Sequence, residues 1–242
     1  MLIRIDEART IITDSRLACT LAFVAGALNT AAFEAVGFFS ANMTGNVSSL
    51  SDNLAHARLQ GGWFFFEIVC LFILGSLFSA MVINAGRRRN IRSIYALNIL
   101  IEACLLTTLG IIECWLRPDS GGVLLILSLS FLMGLQNAVV TRISNARVRT
   151  THVSGTSTDI GIELAMLIDI LLRKESPKDA PAWLQKLALH SSTVLAFLTG
   201  GIAGIWLYRM LGYAFLILFG LALLLIALSA ILKTRSLQVN TQ

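Results

Sequence analysis

Apolar residues fall along this chain in six long runs, roughly 17–40, 61–85, 94–116, 121–141, 189–208 and 211–232, separated by polar stretches. Crossing a hydrocarbon core takes about 20 helical residues, and a helix that is apolar all round belongs in a core or in lipid. The pattern therefore predicts an all-α polytopic membrane protein with six transmembrane helices. The longest polar interval, 142–188, is read as a soluble insertion that itself contains a helix near 156–172. At about 100° per residue, Asp159, Glu163, Asp169 and Arg173 share one side of that helix, and Ile, Leu and Met cover much of the rest. Such a helix either lies in the membrane interface or turns its acids into a cavity. Behind it, Arg173 to Pro181 reads as a helix stop and a solvated loop.

A polar pattern recurs once in each half. Gly26-x-x-Asn29 is followed after twelve residues by Asn42-Met43-Thr44-Gly45-Asn46, and Gly134-x-x-Asn137 after fourteen by His152-Val153-Ser154-Gly155-Thr156. Leu54-Ala55 and Leu164-Ala165 match downstream, as do Phe72-Ile73-Leu74-Gly75-Ser76 and Phe197-Leu198-Thr199-Gly200-Gly201. Each copy holds three apolar runs, about 17–116 and 121–232, within one membrane domain covering 1–242. Two repeats with an odd number of spans enter a membrane in opposite directions, a footprint of many secondary transporters. The corresponding Gly75-x-x-x-Ser79 and Gly200-x-x-x-Gly204 place small residues one turn apart, a pattern that lets helices approach closely.

Composition agrees with the runs: 56% of residues are hydrophobic, 14% are charged, and the mean hydropathy is +0.76. With the N-terminus inside, all but Arg58, Arg117 and Arg209 of the 19 basic residues fall on the cytoplasmic side, which places both termini there. The net charge of +5 then reflects orientation and contact with membrane lipid rather than nucleic acid, for which no basic-aromatic module is present. The N-terminal tail mixes Arg4, Arg9 and Arg16 with Asp6, Glu7 and Asp14, unlike a signal peptide. Cys19, Cys70, Cys104 and Cys114 lie in or beside spans without C-x-x-C spacing and are read as small packing residues.

Candidate chemistry concentrates in the paired motifs. Gly45 and Gly155 are expected to take backbone angles closed to other residues, while Asn42, Thr44, Asn46, Ser154 and Thr156 cap exposed backbone groups. Such a break leaves a free helix N-terminus, which suits an anionic group on a substrate. Non-helical backbone at membrane depth is tolerated only inside protein or beside water, so the two motifs are expected to line a cavity. The same pattern also describes an ordinary capped turn at a membrane edge. Asn29 and Asn137 either bond between helices or face a substrate path. Glu34, Glu67 and Glu102 are acids in apolar runs, and Glu102 lies deepest; with Asp159 it is a candidate for proton or ion coupling. His152 is a titratable replacement for Asn42. His56, His152 and His190 have no metal-ligand spacing, and no nucleophile motif or P-loop occurs, so neither enzyme nor cofactor chemistry is expected.

Leu21-Ala22-Phe23-Val24-Ala25-Gly26, Ser40-x-Asn42-Met43-Thr44-Gly45-Asn46, Gly134-Leu135-Gln136-Asn137-Ala138 and Thr151 to Asp159 together resemble the YoaK family. The resemblance covers nearly the whole chain. It implies a small bacterial inner-membrane protein of a domain-of-unknown-function family, and supplies no substrate. The sequence thus points to a small-molecule or ion transporter working by alternating access. A non-transport membrane scaffold or stress-related interaction protein is the alternative, and six spans leave room for a homo-oligomer.

Overall fold

The computed structural model describes residues 11–115 and 122–239. Arg4, Asp6, Glu7, Arg9 and Arg117 lie outside the described residues, as do the side chains of Asp14 and Arg235. The described chain is helical: α1 (Ile11–Val36), α2 (Met43–Ala55), α3 (Leu59–Arg88), α4 (Ile94–Trp115), α5 (Val123–Ile143), α6 (Val153–Leu171), α7 (Ala180–Leu211) and α8 (Ala214–Val239), with a 3-10 turn at Pro177–Asp179. Six of these, α1, α3, α4, α5, α7 and α8, are long and apolar enough to cross a membrane.

Local chemistry sets where the elements stop. α1 ends at Val36 because Gly37 takes a left-handed φ of +79° and turns its N–H back to the Phe33 carbonyl. Residues 37–40 are therefore not part of the first span, although the apolar run continues through them. The interval 142–188 is more helical than its polarity suggests. α6 begins at Val153, with His152 as its N-cap residue, and α7 begins at Ala180, with Pro181 in its first turn where a missing N–H costs nothing. The expected helix stop falls at Arg173, whose φ of +58° ends α6.

The helices pair across the sequence rather than with their neighbours. α1 packs along α7, α3 along α5, and α4 along α8. Glycine makes the first two pairings close. Gly26 faces the backbone carbonyl of Phe197 and Gly200 that of Phe23, while Gly75 faces the carbonyl of Phe131 and Gly134 that of Phe72. A methyl at any of the four would run into the opposing backbone. Hydroxyls reinforce both contacts: Thr30 Oγ1 lies 2.9 Å from the Gly201 carbonyl, and Ser76 Oγ donates to the Gly134 carbonyl at 3.0 Å.

The contacts also give direction. The α1–α7 contacts advance together from Gly26–Phe197 through Thr30–Gly201 to Glu34–Arg209, so α1 and α7 run parallel, and the α3–α5 contacts from Phe72–Gly134 to Asn84–Arg142 do the same. In contrast, Gly110 meets Ile217 and Gly220 meets Thr107, so α4 and α8 are antiparallel. α1, α4 and α5 are more than half buried along their apolar lengths, whereas α3 and α7 are less than a quarter buried. The outer helices carry exposed Trp63, Ile73, Leu74, Met81, Leu195 and Trp206, a surface suited to lipid rather than water.

Candidate functional site

Each half contributes a turn followed by a short helix, and one side chain from the preceding span holds each turn. Asn29 of α1 is buried, and its Oδ1 accepts from the Ala41 N–H at 2.8 Å. Asn137 of α5 donates through Nδ2 to Thr151 Oγ1 at 2.6 Å, and its Oδ1 lies 3.2 Å from the Thr150 hydroxyl. Ala41 and Thr151 are the residues just before Asn42 and His152, so the two matched amides do the same work. Both tie the segment leading into the motif to the span that precedes it, Asn29 through a backbone N–H and Asn137 through two threonine hydroxyls.

The motifs match residue by residue in exposure. Asn42 and His152 are exposed, as are Thr44 and Ser154, while Asn46 and Thr156 are buried. Asn42 caps α2 by accepting the Gly45 N–H at 3.1 Å. Asn46 Nδ2 donates to the Phe39 carbonyl at 3.2 Å and closes the turn from beneath; Thr156 Oγ1 donates to the His152 carbonyl at 2.9 Å. None of His152, Thr44 and Ser154 makes a side-chain capping bond.

The expectation for Gly45 and Gly155 needs correction. Neither has a positive φ; both sit in the first turn of a regular helix. Their role is spatial, because a Cβ on Gly45 would strike the Asn42 amide and one on Gly155 would strike the His152 imidazole. Glycine lets the N-cap side chain fold over the helix start.

The two motifs face one cavity of ≈ 1280 Å³. Asn29, Asn42, Thr44 and Gly45 line it from the first half, and Asn137, His152 and Ser154 from the second. Asn46, Gly155 and Thr156 are not among its lining residues. The wall also includes Arg142, Arg149, Thr151, Ser48 and Ser76, with an apolar side of Phe72, Val194, Phe197, Leu198, Ile202 and Ile205. In sequence, Arg142 and Arg149 serve only to orient the chain; nothing in their spacing indicates that they turn inward.

Glu102 lies away from this cavity. It is fully buried between helices, where Oε1 accepts from Gln136 Nε2 at 2.8 Å and Oε2 has no partner among the described residues. Gln136 Oε1 is 3.4 Å from the Thr150 hydroxyl, which also reaches Asn137. A line of polar groups thus runs from Glu102 to the cavity wall. Glu34 pairs instead with Arg209 at 2.8 Å, joining the ends of α1 and α7. The four cysteines are free, and Cys104 is exposed rather than packed inside.

Asp159 belongs to a separate polar pocket of ≈ 220 Å³, shared with Arg147, His152, Thr156, His190 and Thr193. His152 therefore borders both spaces. Next to this pocket, His190 Nδ1 lies 2.8 Å from Glu163 Oε1, and Glu163 is only 3% exposed. α6 turns Glu163 into the bundle and leaves Ile162, Leu164, Ile168 and Leu171 exposed. Sequence spacing does not pair Glu163 with His190, since they lie on different helices and meet only when α6 folds back on α7.

Six helices are long and apolar enough to cross a membrane, and four of them, α1, α3, α5 and α7, line the cavity, an arrangement that fits a multi-pass helical membrane protein by length and composition. Residues 17–229 match the family model described as protein of unknown function, DUF1275. The chain belongs to that family, in keeping with the domain-of-unknown-function family that its motifs resemble. No curated protein and no solved structure matches the chain.

Proposed function

We propose that the protein is a small-molecule or ion transporter of the bacterial cytoplasmic membrane, working by alternating access between two inverted three-helix repeats. The observation that carries this reading is the convergence of both motifs, one from each half, on a single cavity. Asn29, Asn42, Thr44, Asn137, His152 and Ser154 are its substrate-facing polar groups, and Asn46, Gly45, Gly155 and Thr156 shape the turns behind them. Helix directions support the inversion. α7 and α8 form a hairpin through Gly212 and Tyr213, α8 opposes α4, and α4 folds back on α3, where Asn98 meets Ser79 and Ile94 meets Gly86. Since α3 parallels α5 and α1 parallels α7, the first spans of the two copies run in opposite directions. Glu102 and Asp159 are the candidates for coupling, Glu102 joined to the cavity wall through Gln136 and Thr150, and Asp159 sharing a small pocket with His152. Nothing in this mechanism calls for a catalytic step, a cofactor or hydrolysis.

Thermal melting of the purified protein across a panel of metabolites and ions tests the reading. A ligand of the folded state present at one hundred times its dissociation constant adds about 2.7 kcal/mol. The expected result is a ligand whose stabilising effect disappears in folded Asn42→Ala and His152→Ala proteins. If no member of the panel shifts the wild type while both variants simply melt earlier, the motifs are architecture and the transporter reading fails.

A further inference from the structure

The cavity has a sign. Arg142 from the last turn of α5 and Arg149 from the loop before α6 both line it, and no Asp or Glu does. The Arg142 guanidinium donates to the neutral Asn84 Oδ1 at 3.1 Å, so the contact leaves its charge uncompensated. Arg149 has no ion-pair partner among the described residues. His152 lines the same space, and the N-termini of α2 and α6 open onto it with residues 42–45 and 152–154. Each contribution has the same electrostatic preference. Guanidinium groups supply planar, paired N–H donors that fit carboxylate or phosphate oxygens, and helix N-termini add unpaired N–H groups with partial positive charge. A cation entering here would meet two like charges and no counter-charge.

The apolar wall is different in kind. Val194, Phe197, Leu198, Ile202 and Ile205 present one apolar side of α7, with Phe72 beside them. A fully hydrated inorganic ion has no use for such a wall, whereas the carbon skeleton of a metabolite does.

We propose that the cavity binds a small organic anion, its acidic group held by Arg142 and Arg149 and its apolar body against α7. This rests on the transporter reading for its site and adds the class of substrate. It is separable from that reading, because a cavity could serve transport with either charge preference.

The test works before any substrate is identified. Ser154→Cys is introduced after the four native cysteines are replaced, and the protein is placed in phosphatidylcholine vesicles, free of anionic lipid. The new thiol is then labelled with an anionic sulfonatoethyl and a cationic trimethylammonioethyl methanethiosulfonate, each rate normalised to that reagent's rate with a free thiol. Two nearby unit charges favour the anionic reagent by about tenfold after allowance for salt. That ratio falls to near one in Arg142→Gln/Arg149→Gln and persists in Arg142→Lys/Arg149→Lys, which separates charge from fold. A wild-type ratio of one or less overturns the anion assignment and leaves the transporter reading standing. If neither reagent reaches position 154 while an exposed control thiol from Lys178→Cys, on the same side of the membrane, reacts, the cavity is closed to water and both readings fall. Benzoate slows labelling more than formate at equal concentration if the apolar wall takes part; benzoate no better than formate overturns that half of the proposal. Stronger slowing by added phosphatidylglycerol than by benzoate assigns the site to a lipid headgroup and overturns the soluble organic anion.

Discussion

The two motif turns are built to one plan and finished differently. Asn29 and Asn137 hold corresponding residues, Ala41 by its backbone N–H and Thr151 by its hydroxyl, and the exposure pattern across Asn42–Asn46 repeats across His152–Thr156. Yet Asn42 is committed to the Gly45 N–H, while His152 caps nothing and borders both the large cavity and the Asp159 pocket. The difference continues outward. Where the second half has Glu163 and His190 in contact, the matching positions of the first half are Asn53 and Phe65, and the Asn53 amide donates within its own helix to the Ser49 carbonyl. Both turns thus line the cavity, and only the second also has titratable side chains packed behind it. A duplicated scaffold can hold its shape with the residues that repeat and diversify with those that do not.

The largest expected effect tests what the halves share. Gly26→Val and Gly134→Val should each cost about 3 kcal/mol by overpacking a helix–helix contact, measured as loss of thermal stability in detergent. A large cost at one position and none at the other would break the equivalence of the two pairings. Next come the tethering amides. Asn29→Ala strands the buried Ala41 N–H at about 2 kcal/mol, whereas Asn137→Ala costs about 1 kcal/mol, because Thr150 and Thr151 lose side-chain partners and can reorient. Equal losses would mean that the second tether is as rigid as the first.

The polar pocket sharpens the contrast further. A double-mutant cycle of Glu163→Gln with His190→Gln should show a coupling of about 1.5 kcal/mol, while Asn53→Ala with Phe65→Leu should be additive within about 0.5 kcal/mol. Coupling in the first half would remove the distinction. The smallest effects fall on the caps themselves. Loss of the Asn42 cap in Asn42→Ala costs about 1 kcal/mol, and His152→Ala, with no cap to lose, stays within about 0.5 kcal/mol. If His152→Ala melts as early as Asn42→Ala, the imidazole is holding α6 in place rather than serving the cavity.

Much of the polar lining of the candidate site is legible in one dimension. Duplication singles out Asn29, Asn42, Thr44, Asn137, His152 and Ser154, and all six line the cavity. Gly45 lines it too, but proximity to Asn42 rather than backbone angle demands a glycine there. Asn46 and Thr156 belong to the same motifs but turn inward, because successive residues of a helix point about 100° apart and only some can face one space. Glu102 stands out in an apolar run, but depth in a span does not say which neighbour a side chain meets. Its neighbour is Gln136.

Hydrophobicity and local chemistry alone determined six apolar helices, two short helices after the motifs, and the match between halves. Run length, glycine at turns and proline at a helix start act within a few residues, so they can be read along the chain. Tertiary structure alone decided that α1 pairs with α7 and α3 with α5, that His190 meets Glu163, and that two arginines turn into the cavity. A small residue permits close approach without naming the partner, and an apolar surface packs against any other of fitting shape. Partner choice is a property of the whole bundle, because every helix must find its contacts at once.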